Sequence, residues 1–198
     1  MTTLKSTFSR TSVTHLMLLI MPLLLIACSA NDEKPAVEME SQEDTSMTLQ
    51  ISSPAFEDGS AIPQEYSCDG DDSSPALFWG ELPDQTKSIA LIMDDPDAPV
   101  GAWVHWVLYD LPGNRTEIPK NVPKSGQLPG GGTQGSNSWG RSGYGGPCPP
   151  GGTHRYFFKL YALDSALDLA SGATKEDLLQ AMEGHILDQG QLMGTYSR

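Results

Sequence analysis

The sequence predicts a mainly β domain, with short strands arranged as a sandwich and a few peripheral helices. Three observations indicate this class. Glycine and proline, 20 and 15 residues in all, punctuate most of the region between residues 52 and 152, which is typical of short strands joined by turns. Three runs are rich in β-forming residues, and one amphipathic helix stands near the C-terminus. Many strands with one or two helices suit a sandwich.

Three strands are predicted, one from a continuous apolar run and two from side chains that alternate between two faces. Residues 89–93 form a short apolar run that predicts a buried strand. Residues 103–109 and 155–163 alternate instead, so each presents two distinct faces. In the first, one face carries Trp103, His105, Val107 and Tyr109, and the other carries Val104, Trp106 and Leu108. In the second, Tyr156, Phe158 and Leu160 share one face, and Phe157, Lys159 and Tyr161 share the other.

A helix is expected from about Lys175 to Leu187. Thr174 is a candidate N-cap, and Asp177 follows three residues later as a weakened capping box. The apolar face would comprise Leu178, Leu179, Met182 and Ile186. By contrast, residues 112–152 read as one long loop, a feature that is usually functional or disordered. Its end, residues 145–152, holds three prolines and predicts a stiff, sharply bent segment.

The first 27 residues predict a signal peptide. Lys5 and Arg10 give a positive start, and an apolar run of 12 residues over 16–27 is too short to span a membrane comfortably. The run ends in Ala27-Cys28, which resembles the lipobox of bacterial lipoproteins and implies lipidation of Cys28. An ordinary secretory signal with an incidental cysteine is the alternative. Lipidation would anchor the chain in the cell envelope facing the periplasm, and Ser29 favours the outer membrane.

Residues 28–47 predict an acidic, disordered tether. After the cysteine it carries six acidic residues, one basic residue and no apolar periodicity, so it cannot bury enough surface to fold. Residues 48–198 then form a single domain that is long enough for one core. This domain has 19 acidic and 9 basic residues. Its acidic surface argues against nucleic acid as a partner and against electrostatic docking on anionic lipid.

Two cysteines, Cys68 and Cys148, remain in the domain. In an exported chain a pair of thiols is more often bonded than free, so a disulfide is expected. It would close a loop of about 80 residues and stabilise the fold by a few kcal/mol. The alternative is two separate buried thiols.

Three motifs adjoin the predicted strands. They are Asp-Pro-Asp-Ala-Pro over 95–99, Trp-Val-His-Trp over 103–106, and Gly-Pro-Cys-Pro-Pro-Gly-Gly-Thr-His-Arg-Tyr over 146–156. Their order and spacing resemble the phosphatidylethanolamine-binding proteins, also called Raf kinase inhibitor-like proteins, in their prokaryotic branch. The resemblance covers nearly all of residues 49–198. It implies a large antiparallel sheet packed on a smaller one, with a helix near the C-terminus.

The resemblance also implies a pocket that binds a small anion, such as phosphate or a phosphorylated head group, without catalysis and without a cofactor. The residues that match the family's pocket are Asp95, Asp97, Pro99, Trp103, His105, Gly146, Pro150, His154 and Tyr156. The chain is shorter than eukaryotic members between Asp95 and His105, so the pocket mouth is expected to differ. Arg155 should point away from the pocket and form a structural ion pair.

The residue types themselves also suit an anion. His105 and His154 can donate hydrogen bonds and become cationic near neutral pH. Tyr156 offers a hydroxyl, and glycine-rich bends can turn backbone N–H groups toward one anion. The carboxylates of Asp95 and Asp97 would repel it, unless one of them orients a histidine or shares a proton with the ligand. Binding is therefore expected to depend on pH.

Four other interpretations stay open. The aspartates and histidines of the motifs are plausible metal ligands, although no pair has the close spacing of a dedicated site. A hydrolase would need a nucleophile, and the candidate serines Ser136, Ser138 and Ser142 lack a nucleophile-elbow motif. The histidines can also be satisfied core groups. Finally, members of the family inhibit kinases or serine proteases by protein contacts, and inhibition of a serine protease through the Gly/Pro loop is the second function considered.

Overall fold

The computed structural model describes residues 48–198, which form two antiparallel sheets and one α-helix. The strands are β1 (Ile51–Ser52), β2 (Leu77–Trp79), β3 (Ser88–Asp95), β4 (Trp103–Pro112), β5 (Glu117–Ile118), β6 (Thr133–Gln134), β7 (Thr153–Leu163) and β8 (Ile186–Ser197). The helix α1 spans Lys175–Met182, and a 3₁₀ turn spans Gln64–Tyr66. The predicted signal peptide over 1–27 and the tether over 28–47, with Cys28, lie outside the described residues.

The large sheet has five strands in the order β6-β4-β3-β7-β8, and the small sheet has three in the order β1-β2-β5. All paired strands run antiparallel. The prediction of a mainly β fold, with a large sheet packed on a smaller one and a helix near the C-terminus, is confirmed. The predicted long loop of 112–152 is interrupted, because β5 and β6 lie within it. Within residues 48–198, no helix combines the length and apolar character that a membrane crossing requires.

The two faces of the large sheet bury separate apolar clusters. One face packs on the small sheet, where Leu77 and Ile118 meet Leu91 and Phe158. The opposite face carries Ile92, Val107 and Tyr161, and α1 covers it with Leu178 and Met182. Each fully buried side chain of this kind contributes roughly 1.5–3 kcal/mol. The sheet is therefore covered on both sides, and its strand ends are left to form a site.

A β-bulge in β4 changes which way its first residues point. Met93 pairs with Trp106 while the next residue, Asp94, pairs with Val104, so His105 is the extra residue. A bulge of this kind shifts the alternation of the strand by one. Val104 consequently packs with the α1-side cluster and not with Trp106. The predicted faces of residues 103–109 are thus wrong before the bulge, whereas the predicted faces of β7 are correct.

The helix begins where predicted but ends earlier. Thr174 and Asp177 form a complete capping box at its start, and the Lys175 ammonium pairs with the Asp94 carboxylate of β3 at 2.5 Å. The helix ends at Met182, five residues before the predicted end, because Gly184 adopts φ +76° and turns the chain into β8. Ile186 accordingly belongs to β8, and Leu179 on the helix is 39% exposed.

Candidate anion-binding site

The candidate site lies at one end of the three central strands of the large sheet. In the order β4-β3-β7, the C-terminal end of β3 lies beside the N-terminal ends of β4 and β7. This arrangement brings Asp95, His105 and His154 together, although they are far apart in sequence. All three side chains are buried, with residue exposures of 3%, 2% and 7%.

His105 is directed into this site by the bulge. Without the extra residue, the alternation of β4 would place it on the same face as Val107 and Tyr109, beneath α1. Its Nδ1 lies 2.7 Å from the Gly145 carbonyl oxygen. Because a carbonyl only accepts, Nδ1 carries a proton, and Nε2 is the nitrogen left for another partner. Burial lowers the pKa of His105, against the opposing effect of the Gly145 carbonyl, so the ring is neutral at pH 7.

His154 is oriented by a buried carboxylate. Its Nδ1 lies 2.7 Å from Asp95 Oδ2, and the other carboxylate oxygen accepts the backbone N–H of Asp97 at 2.8 Å. The charge of Asp95 is therefore compensated by donors on both oxygens. His154 again has Nε2 as its second nitrogen. The two rings thus share one pattern, in which Nδ1 is committed to the protein.

Asp97, by contrast, is occupied by an ion pair. Both of its carboxylate oxygens accept bonds from the Arg155 guanidinium, at 2.7 and 2.9 Å, and Oδ2 also accepts the Arg155 backbone N–H. The hydrogen bonds from this guanidinium lower the pKa of Asp97 to about 2. The structural ion pair predicted for Arg155 is present. Asp97 was predicted as a pocket residue, and the structure places its oxygens in this ion pair with Arg155.

Tyr156 lies behind His105 and forms no part of the cavity wall. The two ring centroids are 5.1 Å apart at nearly a right angle. The Tyr156 hydroxyl is buried near the Asp95 side chain and the Cys148 backbone, but it forms no hydrogen bond of standard geometry with residues 48–198. Burial, together with the nearby Asp95 carboxylate, raises the pKa of this phenol, which therefore stays protonated. A buried donor without a partner is a feature that calls for an explanation.

The proline-rich loop forms another wall. Cys148 is joined to Cys68 by a disulfide, with 5.4 Å between their Cα atoms. The expectation that glycine N–H groups turn toward an anion fails at two positions in this loop. The N–H of Gly146 donates to Asp72 Oδ1 at 2.6 Å, and the N–H of Gly145 donates to the His105 carbonyl at 2.9 Å. Gly146 thus anchors the loop to Asp72 and does not line the cavity.

Together these elements enclose a cavity of about 190 Å³. Its lining comprises Asp95, Ala98, Pro99, Val100, Trp103, His105, Trp139, Cys148, Pro149, Pro150 and His154. Six predicted residues are among them, and Asp97, Gly146 and Tyr156 are not. Sequence reasoning missed Trp139, whose loop carries no family motif, and it missed Ala98, Val100, Cys148 and Pro149, which are all in or beside the recognised motifs.

Larger clefts in the described domain have a different character. One, of about 470 Å³, lies beside α1, one of about 440 Å³ lies between residues 80–86 and 113–116, and one of about 390 Å³ is lined by residues 84–87 and Asp164. None of these three is lined by histidine. Residues 48–198 also contain no group of three side chains arranged to hold a metal ion. The small cavity is therefore the place where the described domain concentrates groups suited to an anion.

The loop serines make bonds that do not involve histidine. The Ser136 hydroxyl donates to the Gly172 carbonyl at 2.8 Å, and the Ser138 hydroxyl accepts the Val104 N–H at 2.8 Å. A serine nucleophile needs a base within hydrogen-bond reach. Among residues 48–198, the hydrogen bonds of the two pocket histidines go to Gly145 and Asp95, so no serine–histidine pair is formed there.

The fold and site define a β-sandwich binding protein with a small histidine-lined pocket. The family described as phosphatidylethanolamine-binding protein matches residues 52–197, and the chain belongs to this family. Relatives include the UPF0098 proteins of Methanothermobacter thermautotrophicus, 53% identical over 76% of this chain and 99% of the relative, and of Aquifex aeolicus, 47% identical over 76% and 89%.

Solved structures agree with this assignment. A putative phosphatidylethanolamine-binding protein homologue from Chlamydia trachomatis superposes with a TM-score of 0.71 and is 42% identical, covering 77% of this chain and 99% of that one. YbcL of Escherichia coli, described as a member of the mammalian family, also gives a TM-score of 0.71 at 30% identity, covering 76% and 98%. The prediction that the chain belongs to the prokaryotic branch of the family is therefore confirmed.

Proposed function

We propose that the chain is an exported, membrane-anchored binding protein that holds one small phosphate-like anion in this pocket without transforming it. The observation that carries the proposal is the convergence of two buried imidazoles, each with Nδ1 committed to a protein acceptor, on one small cavity. Inorganic phosphate and phosphorylated head groups are the ligands considered. The family is named for phosphatidylethanolamine, whose head group carries a phosphate, which supports the same class of ligand.

The tautomers suggest how an anion would be held. His105 is neutral at pH 7 and offers Nε2 as an acceptor. A singly protonated phosphate can donate its P–OH hydrogen to such a nitrogen. Alternatively, the ring takes up a proton as the anion enters, and the charge-assisted bond that results is about twice as strong as a neutral one. In both cases the complex holds a proton, either on the phosphate or on the His105 ring. The affinity for phosphate should therefore rise as the pH falls toward 6.

The non-catalytic part of the proposal rests on the arrangement of nucleophiles. The described domain pairs neither pocket histidine with a serine, and Tyr156, behind His105, is a phenol of raised pKa. Inhibition of a serine protease, the second function considered, has less support. Residues 145–149 of the loop are largely buried and Cys148 is bonded to Cys68, so the loop presents only residues 150–152 as a fully exposed segment.

The test is the affinity of the full chain, purified in detergent, for inorganic phosphate and phosphoethanolamine by titration calorimetry. His105→Ala removes one charge-assisted partner and should weaken phosphate binding by about 1.5–3 kcal/mol, roughly 10- to 150-fold. His185→Ala is the control, because the Nδ1 of His185 is likewise hydrogen-bonded within the protein, to the Asp164 carboxylate at 2.8 Å, but His185 is exposed and lies outside the cavity. Unchanged affinity in a folded His105→Ala variant would remove this residue from the site.

A further inference from the structure

The two halves of the disulfide have different surroundings. Cys68, shortly after the 3₁₀ turn, is exposed on the surface. Cys148 is half-buried and lines the small cavity. A thiol cleaves a disulfide when its thiolate attacks one sulfur and the other sulfur leaves, and access helps to decide which of the two is attacked. A small thiol in solution therefore reaches Cys68 more easily than Cys148.

A cation lies beside the less exposed sulfur. The Arg198 guanidinium donates to Cys148 Sγ, with 3.7 Å between Nη1 and the sulfur. The Nη2 atom of the same guanidinium pairs with the Asp69 carboxylate at 3.0 Å. The backbone of Arg198 also exchanges two hydrogen bonds with Gly152, at 2.9 and 3.2 Å. Side chain and main chain together thus hold the guanidinium against Cys148, and within residues 48–198 no corresponding bond reaches the Cys68 sulfur.

The other titratable groups around Cys148 are neutral or already have partners. They are the lining residues Asp95, His105 and His154, with Tyr156 behind them. The Asp95 oxygens accept bonds from His154 and from a backbone N–H. Burial lowers the pKa of His105 and raises that of Tyr156, so both are neutral at pH 7. The direct contact with Arg198 is therefore the main interaction available to a negative charge on the Cys148 sulfur.

Electrostatics favours Cys148 as the sulfur that leaves. A neighbouring arginine lowers the pKa of a thiol, and a thiol of lower pKa is the better leaving group. Cys68 is followed instead by the carboxylate of Asp69. The charge of this carboxylate is shared between Arg198 and the Tyr196 hydroxyl, which donates to it at 2.9 Å. Access and charge thus favour the same direction of cleavage.

We propose that Cys68 is a modification site at which a small external thiol forms a mixed disulfide, and that Arg198 promotes the reaction by stabilising the departing Cys148 thiolate. The attacking thiolate forms a bond to Cys68 Sγ while the bond between Cys68 and Cys148 breaks, and the electron pair of that bond stays on Cys148. One disulfide replaces another, so this step involves no net oxidation.

A second thiol can complete the reduction. Its thiolate attacks the sulfur of the bound small thiol, and Cys68 leaves as a thiolate. The two external thiols are then joined by a disulfide, and the protein disulfide has gained two electrons. Cys68 and Cys148 take up the two protons that the external thiols gave up. The reaction does not depend on whether the cavity binds an anion.

The experiment identifies which cysteine takes up the thiol. The full chain, purified in detergent, is incubated with glutathione at pH 7, its free thiols are blocked with N-ethylmaleimide, and it is digested after glutamate residues. This digest places Cys28, Cys68 and Cys148 on separate peptides. Mass spectrometry should find glutathione on Cys68 and maleimide on Cys148, with the opposite pattern roughly tenfold rarer.

Variants of Arg198 test its role. Arg198→Gln should slow the first step by about three- to tenfold, reduce the preference for Cys68, and shift the maleimide labelling of Cys148 to higher pH. Arg198→Lys keeps the charge and should retain most of the rate. Arg155→Gln is the matched control, because Arg155 also pairs with an aspartate at similar side-chain exposure, 53% against 45% for Arg198, but bonds Asp97 and not the disulfide. It should change neither rate nor preference.

Each result supports or overturns part of the proposal. Glutathione on Cys148, or on both cysteines equally, would overturn the assignment of Cys68. An unchanged rate and an unchanged labelling profile in Arg198→Gln, with its circular dichroism intact, would exclude a role for Arg198. If glutathione modifies the urea-unfolded chain but not the folded chain, the bond is closed to small thiols and the whole proposal fails.

Discussion

Two buried tyrosines beside the pocket differ in a single hydrogen bond. The Tyr144 hydroxyl donates to the Tyr66 carbonyl at 2.6 Å, whereas the Tyr156 hydroxyl has no partner among residues 48–198. Tyr156→Phe should therefore leave the free energy of unfolding of the ligand-free chain unchanged or raise it by up to about 1 kcal/mol. Tyr144→Phe should lower it by about 1–3 kcal/mol, because the Tyr66 carbonyl loses its donor. Denaturant unfolding compares the two, and equal losses would mean that the Tyr156 hydroxyl is satisfied in the folded chain.

The buried His105 ring should make the ligand-free chain sensitive to mild acid. Burial lowers its pKa in the folded state, so below about 6.5 the unfolded chain binds a proton that the folded chain does not. The free energy of unfolding should consequently fall as the pH decreases from 7.5 through 6.5 toward the lower folded pKa. His105→Gln removes this contribution, and its loss of stability between pH 7.5 and pH 5 should be smaller than that of the parent chain. An equal loss in both chains would contradict a buried neutral ring.

Single residues also mark how far the site could be predicted from the sequence. The motifs predicted His105, His154 and Asp95 as site residues, and the structure brings all three to one end of the large sheet. The role of Asp97 could not be predicted, because Arg155, on the neighbouring strand β7, comes within reach of both of its oxygens only in the folded chain. Trp139 was missed for a related reason. Its loop has no periodicity, and only the packing on Gly145 brings the indole to the cavity.

Regular elements were predictable and irregular ones were not. The faces of β7 follow simple alternation, so Tyr156 and Phe158 share one face as predicted, and the structure shows that this face packs on the small sheet. In β4 the bulge at His105 is a property of its pairing with β3, and no local pattern reveals it. The helix end was misplaced because the apolar residue Ile186 continues the helical spacing but belongs to β8. In each case long-range pairing outweighed the local preference.

The disulfide joins two elements that otherwise meet only through weaker contacts. Cys68 follows the 3₁₀ turn, and Cys148 belongs to the loop that walls the pocket. Replacing both cysteines by Ala should lower the free energy of unfolding by about 2–5 kcal/mol and should weaken phosphate binding, because Cys148, Pro149 and Pro150 lose a constraint. Urea unfolding and calorimetry of both chains measure this. Reductant should destabilise the parent chain and not the variant, and no response of the parent would mean that the bond contributes nothing.

For the whole molecule, the proposal couples an acidic domain to a lipid anchor. Replacing Cys28 by Ala removes the thiol that would be acylated, and a chain without acyl groups has no stable hold on the membrane. The variant should move from the membrane fraction to the soluble envelope fraction, as measured by immunoblotting after fractionation in a bacterial host. The variant lacking Cys68 and Cys148 is the control and should stay with the membrane. Equal membrane association of the Cys28→Ala chain would exclude anchoring through this residue.

Because Cys148 lines the cavity and is part of the disulfide, the affinity of the proposed site for its anion should depend on the redox state of the surroundings. Disulfides persist in oxidising compartments and are rare in the cytosol. Until this bond closes, the segment that carries Cys148 is held by non-covalent contacts alone, and one side of the cavity can give way. For the exported chain proposed above, a precursor with the open thiols would bind the anion more weakly. Tight binding would begin only in an oxidising compartment.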